Sequence, residues 1–229
     1  MKNKTVIIRV LVVIVTVLIP VVILMVSVRL LITPTFVHLA YRLPGFPDDP
    51  YGFTFDDRIR WSQPSINYLV NNEEIAFLSE LSFEDGVPIF NARELSHMVD
   101  VKEVVTGLRV ALAVAVIILL ISSVIAIRTN NKPLLIQSYH MGGWATIGLI
   151  VAILLFVAFN FDNLFNWFHQ IFFESGTWQF YTSDTLIRLF PMRFWRDAFI
   201  FVGLLSMIMG VGLTLLTRNK NSGTTHRID

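Results

Sequence analysis

A chain of 229 residues that is 54% hydrophobic and only 15% charged is too apolar for a water-soluble domain, in which the apolar share runs at about 45–50%. A net charge of +1 points to no nucleic-acid partner. The lack of cysteine removes disulfides, thiolate nucleophiles and thiolate metal ligands.

The apolar residues fall in four blocks, 6–31, 104–127, 141–159 and 198–217, each near the ~20 residues that a helix needs to cross a bilayer. Only Arg9, near the start of the first block, Arg29 and Arg109 interrupt them. The expected fold is therefore an all-α membrane protein with four transmembrane helices and a small extracytoplasmic α+β cap. Lys2 and Lys4 precede the first block and Arg9 lies at its start, Arg128 and Lys132 separate the second from the third, and Arg218, Lys220 and Arg227 follow the fourth, with Asp229 the one acid among them. Positive flanks stay in the cytoplasm, so both termini are placed inside.

Taken in order, residues 1–32 read as a cytoplasmic N-terminus and first span. The apolar run is about twice the usual 7–15 residues of a signal peptide and lacks a small-x-small site, so it is expected to remain as an anchor. Residues 33–102 form an extracytoplasmic domain, in which 33–101 carry eleven acids against Arg42, Arg58, Arg60 and Arg93. Pro34, Pro44, Gly45, Pro47 and Pro50 make its opening part loop. Ile66, Leu69, Ile75, Leu78 and Leu81 space one or two short amphipathic helices. Asp85-Gly86 between short apolar runs signals a tight hairpin, confined to an edge by Pro88. Asn91 and Glu94 stand in capping-box spacing, and Asp100 and Glu103 repeat that signal where the second span, 103–127, begins. His97 falls at the junction.

Residues 128–139 form a cytoplasmic loop and 140–159 the third span. The segment 160–197 is densely aromatic, which suits a re-entrant or surface-lying element or a simple interfacial belt. Ser183 or Asp184 is placed to cap a short helix that Pro191 ends, and Asp197 to cap the last span, 198–217. Residues 218–229 are a cytoplasmic tail.

His38, His97 and His169 lie at or just beyond the outer ends of spans, where imidazoles can exchange protons near neutrality. Each alone can equally be a hydrogen-bonded interfacial residue. His140 and His226 receive no role. Three outward histidines with Asp100 or Asp162 suit zinc, but His-Glu-x-x-His is absent. Gly-x-Ser-x-Gly is absent too, leaving Ser96 without an evident base. Arg58, Arg60, Arg193 and Arg196 can reach headgroups. Arg109, farther into its span, is expected to face a polar cavity, because an unpaired cation there costs about 2.5–3.5 kcal/mol. Asp162, Asn166 and His169 share a helix face at spacings of four and three, which is otherwise a solvated stripe.

The runs Tyr51-Gly-Phe-Thr with Asp57-Arg58, Phe90-Asn-Ala-Arg-Glu-Leu-Ser-His97-Met-Val-Asp-Val-Lys102, Phe161-Asp-Asn-Leu-Phe-Asn-Trp-Phe-His169-Gln-Ile-Phe-Phe173, then Trp178, Asp184-Thr-Leu-Ile187 and Leu189-Phe-Pro191, in this order, resemble the lipoprotein intramolecular transacylases of Gram-positive bacteria. The resemblance covers nearly the whole chain and is most specific at the two histidine motifs. It implies an enzyme of the bacterial cell membrane with its active site facing the extracytoplasmic side. Such an enzyme moves the sn-2 acyl chain of a diacylglyceryl-modified lipoprotein cysteine onto that cysteine's own α-amino group, giving the lyso form.

That aminolysis needs a base, a donor and a shaped cavity, but no enzymic nucleophile. His169 is the expected base and His97 the donor or proton shuttle, with the two able to exchange roles. Arg58, Arg193, Asp184 and Trp178 are expected to bind or orient substrate, and no cofactor or metal is called for. The expected partners are the diacylglyceryl lipoprotein and membrane lipid, met by a monomer. Two other classes stay open: a non-enzymatic chaperone or sensor subunit whose outer domain binds a partner, and a metal-dependent membrane hydrolase.

Overall fold

The structure, a computed structural model, describes residues 2–218, with side chains from residue 8 onward. The side chains of Lys2 and Lys4, and Lys220, His226, Arg227 and Asp229, lie outside the described residues.

Eight helices are present among these residues: α1 (Lys2–Leu31), α2 (Pro34–Tyr41), α3 (Phe55–Val70), α4 (Ala76–Ser79), α5 (Ala92–Arg128), α6 (Lys132–Phe172), α7 (Thr185–Leu189) and α8 (Met192–Leu216). Four of them, α1, α5, α6 and α8, are long and apolar enough to cross a membrane. Between 17% and 28% of each apolar window is buried within the protein. The uncovered remainder, with Ile208 68% and Leu216 86% exposed, is surface that only lipid can shield favourably. Helices meet that environment because every backbone group is satisfied within the segment. At 1.5 Å per residue, the 37 residues of α5 and 41 of α6 outrun the ~30 Å hydrocarbon layer.

The chain divides into two compact units. One comprises, of the described residues, 2–26, 112–152 and 203–218. Its core joins Val15 and Ile19 of α1 to Leu119 of α5, with Leu135 and Tyr139 of α6 and Leu213 of α8 packed against them. Glycines set the helix separations. A Cβ on Gly142 would lie 2.6 Å from the Ile19 side chain, and one on Gly143 would lie 3.0 Å from the Gly210 carbonyl oxygen and collide with Thr214 Oγ1. Small residues allow such close approach in the absence of a hydrophobic drive between helices. The buried hydroxyls of Ser138, Thr146 and Thr214 return to carbonyls four residues back, each at 2.8 Å, so none is left unpaired.

The second unit comprises residues 27–111 and 153–202. Its core gathers Phe36, Val37, Ala40 and Tyr41 of α2, Trp61, Ile66, Tyr68 and Leu69 of α3, and Leu78 of α4. Ile89, Phe90, Met98 and Val105, with Leu186, Leu189, Phe190 and Phe194, complete it. Tyr41 Oη donates to the Leu189 carbonyl at 2.7 Å, and Thr185 Oγ1 donates to the Ile89 carbonyl at 2.6 Å. These bonds fix α7 against α2 and the start of α5.

Several local expectations change. The proline-rich opening is not all loop, because Pro34 occupies the first position of α2 behind the Thr33 cap, where a missing N–H costs nothing. Helix α3 starts eleven residues before Ile66, the first of the spaced apolar positions, at a Thr54/Asp57 capping box. The β part of the outer domain reduces to a hairpin turn. Phe83 N donates to the Val87 carbonyl at 2.8 Å around Gly86 at φ +82°, with one isolated bridge between Ser82 and Pro88. No strand forms among the described residues, since Pro88 withholds the donor that would extend the ladder. Asp100 starts no new helix, for α5 runs through it unbroken. Asp197 lies inside α8 and pairs with Arg193 one turn earlier at 2.8 Å instead of capping. Arg109, expected to face a cavity, is exposed on its helix.

Candidate active site

Helix α5 begins with a reciprocal cap. Asn91 N donates to Glu94 Oε2 at 2.8 Å while Glu94 N donates to Asn91 Oδ1 at 3.1 Å, as the Asn-x-x-Glu spacing predicts. The other carboxylate oxygen, Glu94 Oε1, accepts from Leu186 N at 2.6 Å. A buried Glu94 therefore ties the first turn of α5 to α7. His97 follows three residues later on the same helix and is itself buried.

His169 arrives on the last turn of α6. That helix departs from helical geometry at Asn160 (φ −152°, ψ 46°), where Asn163 Nδ2 donates to Asn160 Oδ1 at 2.7 Å. A side-chain amide that takes up local hydrogen bonds competes with the helix at such a point. Beyond it, Asp162 and Asn166 are exposed while His169 is buried. The polar stripe expected on this face is thus divided between two environments.

The two imidazoles meet. Their ring centroids are 6.3 Å apart and their planes differ by 22°. Phe173 touches both, at 4.9 Å from His97 and 5.5 Å from His169. Phe180 packs on the edge of His97 at 5.3 Å, whereas Phe165, Trp178 and Phe168 surround His169 at 4.0, 4.8 and 5.5 Å. Much of the aromatic segment thus turns inward to build a dry wall around the histidines.

One hydrogen bond defines the chemistry of His169. Its Nδ1 lies 2.8 Å from the Phe165 carbonyl oxygen, and a carbonyl only accepts, so Nδ1 carries the proton. Nε2 then presents a free lone pair, the form in which imidazole acts as a base. His97 Nδ1 and Trp178 Nε1 are buried with no hydrogen-bond partner. Buried polar atoms in native proteins are almost always paired, so these two are poised for an incoming group.

The remaining sequence candidates take other positions. Asp184 Oδ2 accepts from Arg93 at 2.8 Å and from Tyr181 N at 2.9 Å. The Arg93 guanidinium lies 5.6 Å from the centre of Phe180, so Asp184 reaches His97 only through two intermediaries. Arg193 is held by Asp197 and donates to the carbonyls of Pro44 and Gly45 at 3.3 and 3.4 Å. Arg58 is buried, donates to the Pro47 carbonyl at 2.7 Å, and faces the rings of Phe46 and Tyr41 at 5.4 and 5.8 Å. Burial pulls its pKa down, with Tyr41 and Asp49 opposing. His38 pairs with Gln63 at 3.0 Å. Among the described residues, no three His, Asp or Glu side chains gather as a metal ion would require. Glu94, Phe165, Phe173 and Phe180 are not singled out as site residues from the sequence, although the Asn91/Glu94 spacing marks the first and the dense aromatic segment 160–197 holds the other three.

Four apolar helices long enough to span a membrane, carrying two buried imidazoles that face each other, define a multi-pass membrane protein. The family model for "Lipoprotein intramolecular transacylase Lit" matches residues 13–195, and the chain belongs to that family. A protein of Aquifex aeolicus described as uncharacterized is 28% identical over 194 residues, covering 83% of this chain and 85% of its own. The fold is similar to that of the membrane integral lipoprotein intramolecular transacylase Lit from Bacillus cereus. That match has a TM-score of 0.76 at 20% identity, covering 92% of this chain and 94% of the other. A variant of the same protein with a histidine replaced by alanine matches with a TM-score of 0.71 at 20% identity, over 95% and 94% of the two chains.

Proposed function

We propose that this protein transfers the sn-2 acyl chain of a diacylglyceryl-modified lipoprotein cysteine to the α-amino group of the same cysteine. The observation that carries the reading is the pair of buried imidazoles 6.3 Å apart, one of them fixed with Nε2 as its free lone pair by the bond from Nδ1 to Phe165.

The substrate amine, with an ordinary pKa of about 7.7–8.0, must lose a proton to attack. His169 Nε2 accepts it as the nitrogen adds to the ester carbonyl. The new C–N bond converts the carbonyl oxygen to an oxyanion, and the tetrahedral centre collapses by breaking the bond to the glycerol sn-2 oxygen. His169 hands the amine proton on to His97, which delivers it to that oxygen, so both imidazoles end in the state in which they began. Each proton transfer contributes about 10²-fold or more in rate, and holding amine and ester within one lipid adds proximity. The aromatic wall excludes water, which would otherwise compete as a nucleophile and hydrolyse the ester.

In this reading both termini lie in the cytoplasm, 33–102 and 160–197 face outward, and the spans are 1–32, 103–127, 140–159 and 198–217. Lipoproteins then reach the histidines from the outer leaflet. Asp184 orients the site indirectly, by holding Tyr181 N beside Phe180, which packs on His97, whereas Arg58 and Arg193 hold the segment 44–47.

The reaction is an isomerisation, so intact mass does not change. Tandem mass spectrometry of the N-terminal lipopeptide, after incubation of a diacylglyceryl lipoprotein with the purified protein, is expected to show an acylated amine and one remaining O-acyl chain. An unchanged diacylglyceryl product with a free amine overturns the proposal.

A further inference from the structure

Trp178 lies in the turn between α6 and α7, its ring centroid 4.8 Å from that of His169 and tilted by 36°. Its Nε1 is buried without a partner. An indole N–H can only donate. The N–H is therefore a buried, unanswered donor beside the proposed base, free for an acceptor that arrives from outside the chain.

We infer that Trp178 is a catalytic residue whose indole N–H donates to the ester carbonyl oxygen and to the oxyanion that replaces it. The inference rests on the transacylase reading above. As the amine nitrogen bonds to the carbonyl carbon, the carbonyl π pair moves onto oxygen, and Trp178 meets the growing charge with a hydrogen bond that it already holds in place. The N–H proton stays on the indole throughout. The proton from the amine passes to His169 and from the histidine pair to the glycerol oxygen, so the step balances without a contribution from Trp178. A neutral donor directed at developing charge acts more strongly on the transition state than on the bound ester.

The test is Trp178→Phe, which keeps a ring against His169 and removes the donor. The conversion rate constant for a dipalmitoylglyceryl lipopeptide in mixed micelles is expected to fall about 10²–10³-fold, as for loss of one oxyanion donor. The half-saturating substrate concentration and the shape of the pH profile should stay as in the parent. Should Trp178→Phe fail to fold, replacement by β-(3-benzothienyl)alanine, which keeps the bicyclic ring and exchanges N–H for sulfur, gives the same readout. A second measurement is the indole ¹H–¹⁵N resonance of Trp178, identified by its loss in the variant. It is expected to move downfield when an N-acetylated, unreactive form of the lipopeptide enters the micelle. Parent rates in the donor-free variants, or an unmoved resonance at saturating lipopeptide, overturn the inference. If those results came with His169→Ala and His97→Ala both inactive, the transacylase reading would stand and only the role of Trp178 would fall.

Discussion

Glu94 Oε1 accepts the backbone N–H of Leu186 at 2.6 Å across 92 residues of sequence, while Oε2 of the same carboxylate caps its own helix. One buried side chain thus sets both the start of the helix that carries His97 and the position of the short helix that follows the aromatic turn. Glu94→Gln keeps the size but turns one acceptor into a donor facing an N–H. A buried group left unpaired costs about 1–3 kcal/mol, so thermal unfolding in detergent should occur several degrees lower. Activity should fall more than the stability loss explains, because His97 sits one turn away. Parent-like unfolding and turnover in this variant would show that the link is incidental.

Asp49 and Arg188, both in the unit 27–111 and 153–202, form an ion pair at 2.9 Å with the Asp49 side chain fully buried. The Arg188 guanidinium also lies 3.4 Å from the centre of Phe53. Burial pushes the Asp49 carboxyl up, but hydrogen bonds from Arg188 and from Phe53 N outweigh it and hold the pKa below the ordinary carboxylate value. A depressed pKa means that the folded state binds fewer protons than the unfolded state between the two values. The resulting stabilisation is complete above the unfolded pKa of about 3.9 and disappears as pH falls through the folded pKa. Asp49→Asn, which leaves the cation unpaired, should cost about 3 kcal/mol at neutral pH. Unfolding temperatures of parent and variant should converge below about pH 4; a gap that stays constant down to pH 2.5 would contradict this assignment.

In the other unit, Gly143 stands where a Cβ would meet the Gly210 backbone and Thr214. Gly143→Val should force α6 and α8 apart, at a cost of about 1–3 kcal/mol for overpacking. Gly148, whose Cβ would meet nothing within 4 Å, is the control and should tolerate alanine. Detergent-resistant folded protein, measured by fluorescence-detected size exclusion after heating, separates the two; equal loss in both would remove the close-packing argument.

The spans were legible because a bilayer demands about twenty apolar residues in a row, and residues 6–31 or 198–217 can satisfy nothing else. The Asn91/Glu94 cap was equally open to reading, being a contact of near neighbours. Asp197 shows the limit of such signals: an acid before an apolar run looks like a cap, yet Arg193 four residues earlier offers a stronger partner. Pro34 misled for a related reason, since the same ring that breaks a helix interior begins a helix well. Both histidines were legible as residues of interest, but not their tautomer, which depends on where the Phe165 carbonyl points. Nor could any local pattern reveal that Glu94 reaches Leu186, or that the rings of Phe173 and Phe180 close on His97. Those are consequences of tertiary packing.

Loss of either imidazole should stop turnover by the same amount as loss of both, because groups that act as one unit do not add. His97→Ala, His169→Ala and the double variant are each expected to fall to the same low residual rate, set by substrate binding and the Trp178 donor, while remaining in the membrane fraction at parent levels. Additive losses, with the double variant far below either single one, would mean that the two rings serve separate steps.

The most direct measurement is tandem mass spectrometry of lipoprotein N-termini from cells that make the parent protein or His169→Ala at equal levels in a host with no transacylase of its own. The account predicts N-acyl, S-monoacylglyceryl cysteine with the parent and only free-amine diacylglyceryl cysteine with the variant. Lyso-form lipoprotein in the His169→Ala cells at the parent level would contradict it.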